Sequence, residues 1–330
     1  MAVVPLPVTT LQQLDRLRKG LFWKGASKCT GGDCQVAWEL ACRDINDGGV
    51  GLKDLATLNT SLLLKHIHKL FAGVQNPWTD WMRLWYDEGY SVEDTPLVAA
   101  GGLTAAALQP RLTAAARHEL ELLGMAIAGV VLGGSHDGRV FVDSPSEAPT
   151  AGAFYRRIRT PAIAPPLSDI NWVGFAPKKA KIFFWIVRHG RTRTRDSMHR
   201  HGALDSPDCP FCPGHSEDLD HLFARCPRLA AFWARVLPGH SPPTSACDAA
   251  ELVAGLLAAQ DAQLGHTAAL GALWIVWKSR NRMVFDGIRL DLDALVRLLR
   301  DHLLLWCCRA SRKLHVSPLQ AWCQSLVHIA

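Results

Sequence analysis

Tyrosine is scarce in this 330-residue sequence, with three against twelve Trp, and no unbroken apolar run is long enough to cross a bilayer. The longest such run, around LGALWIVW, falls well short, and Gln260, Asp261, Gln263 and His266 precede it. The opening MAVVPLPVTTLQQLDRLRKG lacks a basic start, an unbroken apolar core and a small-residue cleavage site, so no secretory signal is expected. The chain therefore reads as soluble and intracellular, with no membrane partner. In a reducing compartment its ten Cys argue against a disulfide framework and for buried thiols or metal ligands. The glycines of GGVGL have no Lys-Ser/Thr pair after them, which excludes a phosphate-binding loop of that type.

With 48% hydrophobic residues, the composition is that of a globular protein. A net charge of +6 is modest but unevenly spread. From Pro177 to His201 the chain carries Lys178, Lys179, Lys181, Arg188, Arg191, Arg193, Arg195 and Arg200 against the single acid Asp196. Such clustering is the footprint of a polyanion-binding face, and equally that of a solvated helix.

Apolar spacing predicts a mainly α fold: helical segments around a small zinc-knuckle subdomain, with at most a short β-hairpin. LQQLDRLRKGLFW places Leu11, Leu14, Leu17 and Leu21 on one face. A second helix is expected after Asp54 as N-cap, stopping at Gly73. LTAAARHELELLGMA reads as helical, and SHDGRVFVD supplies the hairpin signal. PKKAKIFFWIVRHG and a short segment from Thr194 follow, then PRLAAFWARVL. DAAELVAGLLAAQ carries a capping-box-like pair, Asp248 and Glu251. HTAALGALWIVWKSRNRMVF and DLDALVRLLRDHLLLWCCRASRKL are long and amphipathic. Pro/Ser-rich stretches near residue 150 suggest regions 1–150, 151–240 and 241–330.

One stretch concentrates metal-ligand chemistry: CPFCPGHSEDLDHLFARC, spaced C-x2-C-x8-H-x4-C through Cys209, Cys212, His221 and Cys226. A pair two residues apart can fold into a knuckle that aims both sulfurs at one zinc ion. The second pair is expected on a short helix opened by Ser216, with Glu217 and Asp218 in its first turn. Four protein ligands would make the site structural, with no position open for water. Three other readings stand beside this one: buried Cys that merely cluster, a CxxC redox pair, and His215 in place of His221. Cys29, Cys34 and Cys42 lack a fourth partner at suitable spacing, and Cys307 and Cys308 face different directions on a helix, as do His66 and His68.

The ordered pieces LFWKG, VAWELAC, GGVGLKDLATLNTSLLLKHIHKLF, PKKAKIFFWIVRHGRTRTRDSMHRHG with Trp172 before it, CPFC, HLFARC and WIVWKSRNRMVF resemble the C-terminal region of plant LINE-type, non-LTR retrotransposon polyproteins. That region carries a reverse-transcriptase zinc-binding domain. The resemblance covers most of the chain and is lowest between about 96 and 150. It implies ligand roles for Cys209, Cys212, His221 and Cys226 on one structural zinc ion. It also implies RNA or DNA as partner, the element's own RNA or its RNA/DNA intermediate, alongside other retroelement proteins, and a nuclear location. The polymerase of such elements needs adjacent aspartates for two-metal transfer, and no two aspartates are adjacent here. After Phe285 the acids are only Asp286, Asp291, Asp293 and Asp301, in a helical context unlike a ribonuclease H sheet. The reading is thus a non-catalytic zinc-binding protein that contacts nucleic acid. The alternative is a zinc-stabilised interaction module, or a non-functional fragment, with Trp274, Trp277 and Trp306 as apolar anchors.

Overall fold

A computed structural model describes residues 5–71, 74–86, 149–159 and 172–328, with four isolated positions between 118 and 125. The described residues are mostly helical and contain no strand, only an isolated antiparallel bridge between Asp208 and Ser216. The expected hairpin at SHDGRVFVD lies outside the described residues, as do Gly73 and most of LTAAARHELELLGMA. No described helix is long and apolar enough to cross a membrane. The chain forms two compact units, Met1–Pro7 with Ala56–Arg159 and Val8–Leu55 with Thr160–Ala330.

The first unit holds most of α3 (Leu55–Phe71), α4 (Pro77–Tyr86) and α5 (Ala151–Ile158). Asn76 caps α4 through its Oδ1, which accepts the N–H groups of Trp78 and Thr79 at 3.1 Å. Thr150 caps α5 by accepting the N–H of Ala153. His66 and His68 take different neighbours, Trp78 and Phe154, as their positions on one helix require.

The second unit is built around a long central helix. Its elements are α1 (Val8–Lys24), α2 (Trp38–Ala41), α6 (Lys178–Arg188), α7 (Arg195–Arg200), α8 (Ala230–Val236), α9 (Ala246–Ala258), α10 (Ala262–Asp286), α11 (Leu292–Cys307) and α12 (Ser317–His328). Asp261 caps α10 and Asp291 caps α11, each side chain accepting an N–H of the first turn at 2.7 Å. α9 is opened by Ser245, whose Oγ accepts from Asp248 N–H, while the Asp248 carboxylate accepts from Thr244. The box expected at Asp248 and Glu251 therefore lies one turn earlier.

α10 is buried almost all round from Leu264 to Val276, and small residues make this possible. A Cβ on Gly265 would stand 2.1 Å from the Ala254 carbonyl oxygen, and one on Gly271 would stand 2.6 Å from a Leu303 methyl. These two glycines let α9 and α11 approach closer than any side chain would allow. α6 divides its faces. Phe183, Phe184 and Val187 join the main core, whereas Trp185 joins a second cluster with Val36, Trp38 and Ala41. The Trp185 indole N–H donates to the Gly48 carbonyl at 2.7 Å, and Gly48 adopts φ 79°, which suits glycine. The tryptophans considered as interface anchors are largely internal: Trp306 is 4% exposed, and Trp274 and Trp277 pack against Phe183 at 5.3 and 5.7 Å.

Candidate metal centre

The loop before the centre is a short hairpin-like knuckle. Cys209 N–H donates to the His215 carbonyl and Glu217 N–H to the Pro207 carbonyl, both at 2.8 Å, with the Asp208–Ser216 bridge between them. Gly214 turns the chain at φ 90°. The second ligand pair does not sit on a helix opened by Ser216. Asp218 takes that role, its Oδ1 accepting His221 N–H at 2.6 Å, and His221–Arg225 forms one π-type turn.

That turn explains the x4 spacing. On an α-helix, residues five apart differ by about 140° and diverge. Here Cys226 N–H donates to the His221 carbonyl at 2.9 Å, so the two residues open and close one wide turn and face the same way. Pro227 then ends the turn.

The result is one cluster of four donors, Cys209, Cys212, His221 and Cys226, whose ligand atoms lie within 4.8 Å of one another. Cys212 Sγ is 3.1 Å from His221 Nε2 and 3.5 Å from Cys226 Sγ, and Cys209 Sγ is 4.0 Å from Cys226 Sγ. Tetrahedral zinc, with bonds of about 2.3 Å to sulfur and about 2.0 Å to nitrogen, spaces its donors by about 3.3–3.8 Å. The sulfurs are far beyond the ~2.05 Å of a disulfide. Three of the donors are buried and Cys212 is half-buried. The donor set thus fits zinc in number and type, and its separations of 3.1, 3.5 and 4.0 Å bracket the tetrahedral values. His215 is exposed and lies outside the set, its ring stacked on His221 at 5.8 Å. The sulfurs are electrically unequal: the Cys226 partner and burial push the Cys209 thiol up, burial pushes Cys212 up, and the hydrogen bond from Cys209 pulls Cys226 down.

A buried ion pair locks this loop to the central helix. Glu217, 0% exposed, accepts from Arg280, 3% exposed, through Nη2 at 2.5 Å and through Nε at 3.1 Å to each oxygen. The same carboxylate accepts Arg195 N–H at 2.9 Å, and the Glu217 carbonyl accepts Asp196 N–H. Arg280 also lies over the Trp277 ring at 5.3 Å. Glu217 sits midway between the two ligand pairs, so the pair fixes the loop from outside. Nothing in the local sequence distinguishes Glu217 from a helix-opening acid, and its partner is 63 residues away.

The basic segment separates into two groups. Lys178, Lys179 and Arg191 are exposed. Arg193 is exposed but donates to the Gly32 carbonyl at 2.7 Å, and Arg200 pairs with Asp196 at 2.9 Å. Lys181 turns inward, its Nζ donating to the Trp172 and Gly174 carbonyls, and burial lowers its pKa. Arg188 is half-buried with its pKa likewise lowered by burial, and Arg195 donates to the Ser206 carbonyl. Three of the eight sequence candidates thus serve the fold.

Among the other thiols, Cys29 and Cys34 approach to 3.9 Å but belong to no group of three or more potential metal donors among the described residues, Cys42 is pushed to about 11 by burial, and Cys307 is half-buried beside the exposed Cys308. Residues 150–233, which contain all four donors, match the family described as zinc-binding in reverse transcriptase. That segment is similar to the zinc-binding segment of reverse transcriptases. The chain is also similar to a plant protein, the "Putative ribonuclease H protein" of Arabidopsis thaliana, at 22% identity over 72% of this chain and 49% of the relative. The chain spans about half the length of the curated relative it matches. No solved structure matches it.

Proposed function

We propose that this chain is a non-catalytic, retrotransposon-derived protein that holds one structural zinc ion through Cys209, Cys212, His221 and Cys226 and contacts RNA or DNA with the neighbouring cationic surface. The observation that carries the reading is the convergence of four soft and borderline donors in a buried pocket inside the matched segment. Bound there, zinc supplies a cross-link between the Cys209–Cys212 knuckle and the His221–Cys226 turn. Four protein donors leave no coordination position for water, which favours structure over hydrolysis. The absence of adjacent aspartates argues against nucleotide transfer.

Elemental analysis of protein purified without added metal tests the zinc assignment. The parent is expected to carry about one equivalent and a Cys209→Ser, Cys212→Ser variant almost none. A folded parent without zinc would sink the assignment.

The cationic surface is tested separately. Lys178→Ala with Lys179→Ala is expected to weaken binding to single-stranded RNA or DNA and to flatten its log–log salt dependence by about 0.7 for each phosphate no longer neutralised. Lys181→Met, which removes an internal donor, is expected to lower the melting temperature and leave the salt slope unchanged. Filter binding at several salt concentrations distinguishes these outcomes, and an unchanged slope in the double variant would mark the two lysines as a solvated face.

A further inference from the structure

The second unit contains a cleft of about 310 Å³ on the side of α6 that carries Trp185. Lys19 and Trp23, one turn apart on α1, form one wall. The extended segment Cys34–Ala37 and the start of α2, with Trp38 and Glu39, form the other, and Arg191 closes the rim just after α6. The zinc-site reading uses none of these residues.

Their chemistry is specific. The Lys19 ammonium is held 5.7 Å from the Trp38 ring centroid, with the Arg18 guanidinium at 5.3 Å from the same centroid. The half-buried Trp23 is braced on Trp185, with centroids 6.5 Å apart and planes within 24°. It is thus a rigid aromatic wall. Lys24 is already paired with Asp33 and Arg193 donates to Gly32, so Lys19 and Arg191 are the cations that line the cleft, against the single acid Glu39. Gln35 and Glu39 add amide and carboxylate groups able to meet the edge of a base.

We propose that this cleft receives one unstacked nucleotide of a single-stranded nucleic acid, with its base against Trp23 and its phosphates between Lys19 and Arg191. The inference rests on the nucleic-acid reading above and specifies its site and strand form. The volume is at the small end of the ~300–1,000 Å³ typical of ligand sites, enough for one nucleotide and too little for a base pair. A base held in a duplex is stacked and paired on both sides and cannot enter a recess, whereas a single strand can splay a base onto an aromatic wall. Cations at the mouth and an aromatic wall within are the two components of such platforms.

The test is fluorescence anisotropy with a labelled twelve-nucleotide strand and with the same sequence as a duplex, for the zinc-loaded full chain. Lys19→Gln with Arg191→Gln, both partly or fully exposed, is expected to lower single-strand affinity about tenfold and duplex affinity less than twofold. A Trp23→Phe variant, which keeps an aromatic wall, is expected to retain most of the single-strand preference, and Trp23→Leu to lose it. Equal losses on strand and duplex would overturn the proposal, leaving the cleft a contributor of charge only. Unchanged binding in the double Gln variant, with sensitivity confined to Lys178 and Lys179, would also overturn it while sparing the broader reading. Parent protein that binds neither probe would reject both.

Discussion

Arg280→Met is expected to lower the unfolding free energy by about 3–5 kcal/mol, because it leaves the Glu217 carboxylate charged, buried and without its main partner. Glu217 and Arg280 are 0% and 3% exposed, so water does not screen the loss. The carboxylate keeps one hydrogen bond, from Arg195 N–H, which cannot replace a guanidinium that donates through Nε and Nη2. Replacing both charges should cost less than replacing either one: Glu217→Leu with Arg280→Met removes the desolvated ions together. Recovery should be incomplete, since Arg195 N–H then loses its acceptor, and an unsatisfied buried donor costs about 1–3 kcal/mol. Urea denaturation of the three variants measures these differences. A single-variant loss below about 1 kcal/mol would mean that the pair breathes or admits water. The variants should also hold zinc less tightly, because Glu217 lies between the two ligand pairs and fixes their separation. A chelator competition assay reads that effect apart from global stability.

Local patterns in the sequence reveal most of the helices and the Cys/His donor cluster, while long-range polar contacts stay hidden. The Thr194 cap of α7 and the amphipathic stripe of α11 each depend on neighbours within four residues and appear in the structure, whereas α1 forms a helix but leaves Leu17 and Leu21 of its expected apolar face exposed. The four candidate ligands are equally legible, because a knuckle and a following turn are short-range devices; the structure brings them together and leaves His215 aside. Burial of like-looking charges is not legible. Lys178, Lys179 and Lys181 are indistinguishable in a charge count, yet α6 is packed on two sides and the helical period turns Lys181 inward to the carbonyls at its N-terminal end. Glu217 resembles a helix-opening acid because acids are common there, and only a fold that brings α10 across the loop makes it an ion-pair partner. α12 carries local signals of its own, Pro318 in its first turn and Leu319, Trp322, Cys323 and Leu326 at helical spacing, and it buries Leu319, Cys323 and Leu326 in the main core. The close approach of α9 and of α11 to α10 is hidden in Ala and Gly, residues whose significance comes from what they omit.

Stripping the metal from zinc-loaded protein is expected to open the segment from about Ser206 to Cys226 while the α9–α11 bundle stays folded. Structural zinc in small fingers contributes ~10 kcal/mol or more at neutral pH because the metal-free peptide is unfolded. Here the surrounding unit has an extensive core, in which Val253, Leu270, Leu273, Leu299 and Leu303 are buried, and Cys209 and Cys226 belong to that same cluster. The knuckle is different. Between Ser206 and Ser216 it contributes one buried aromatic, Phe211, and is held by two backbone hydrogen bonds. Without a metal, three sulfurs and an imidazole are left facing one another in a buried pocket, which costs free energy that the zinc cross-link would offset. The turn carrying His221 and Cys226 buries Leu222 and Phe223 in the main core, and Trp233 Nε1–H donates to the Phe223 carbonyl, so the Cys209–Cys212 knuckle should loosen first. Hydrogen exchange before and after chelation should therefore show lost protection at 206–226 and little change in α10. Lowering the pH should release the metal in the same way, because protons compete for thiolate and imidazole donors, so affinity falls as pH falls. Collapse of the whole unit on chelation would instead make the metal the determinant of its fold, and unchanged exchange throughout would remove any structural role for the four donors.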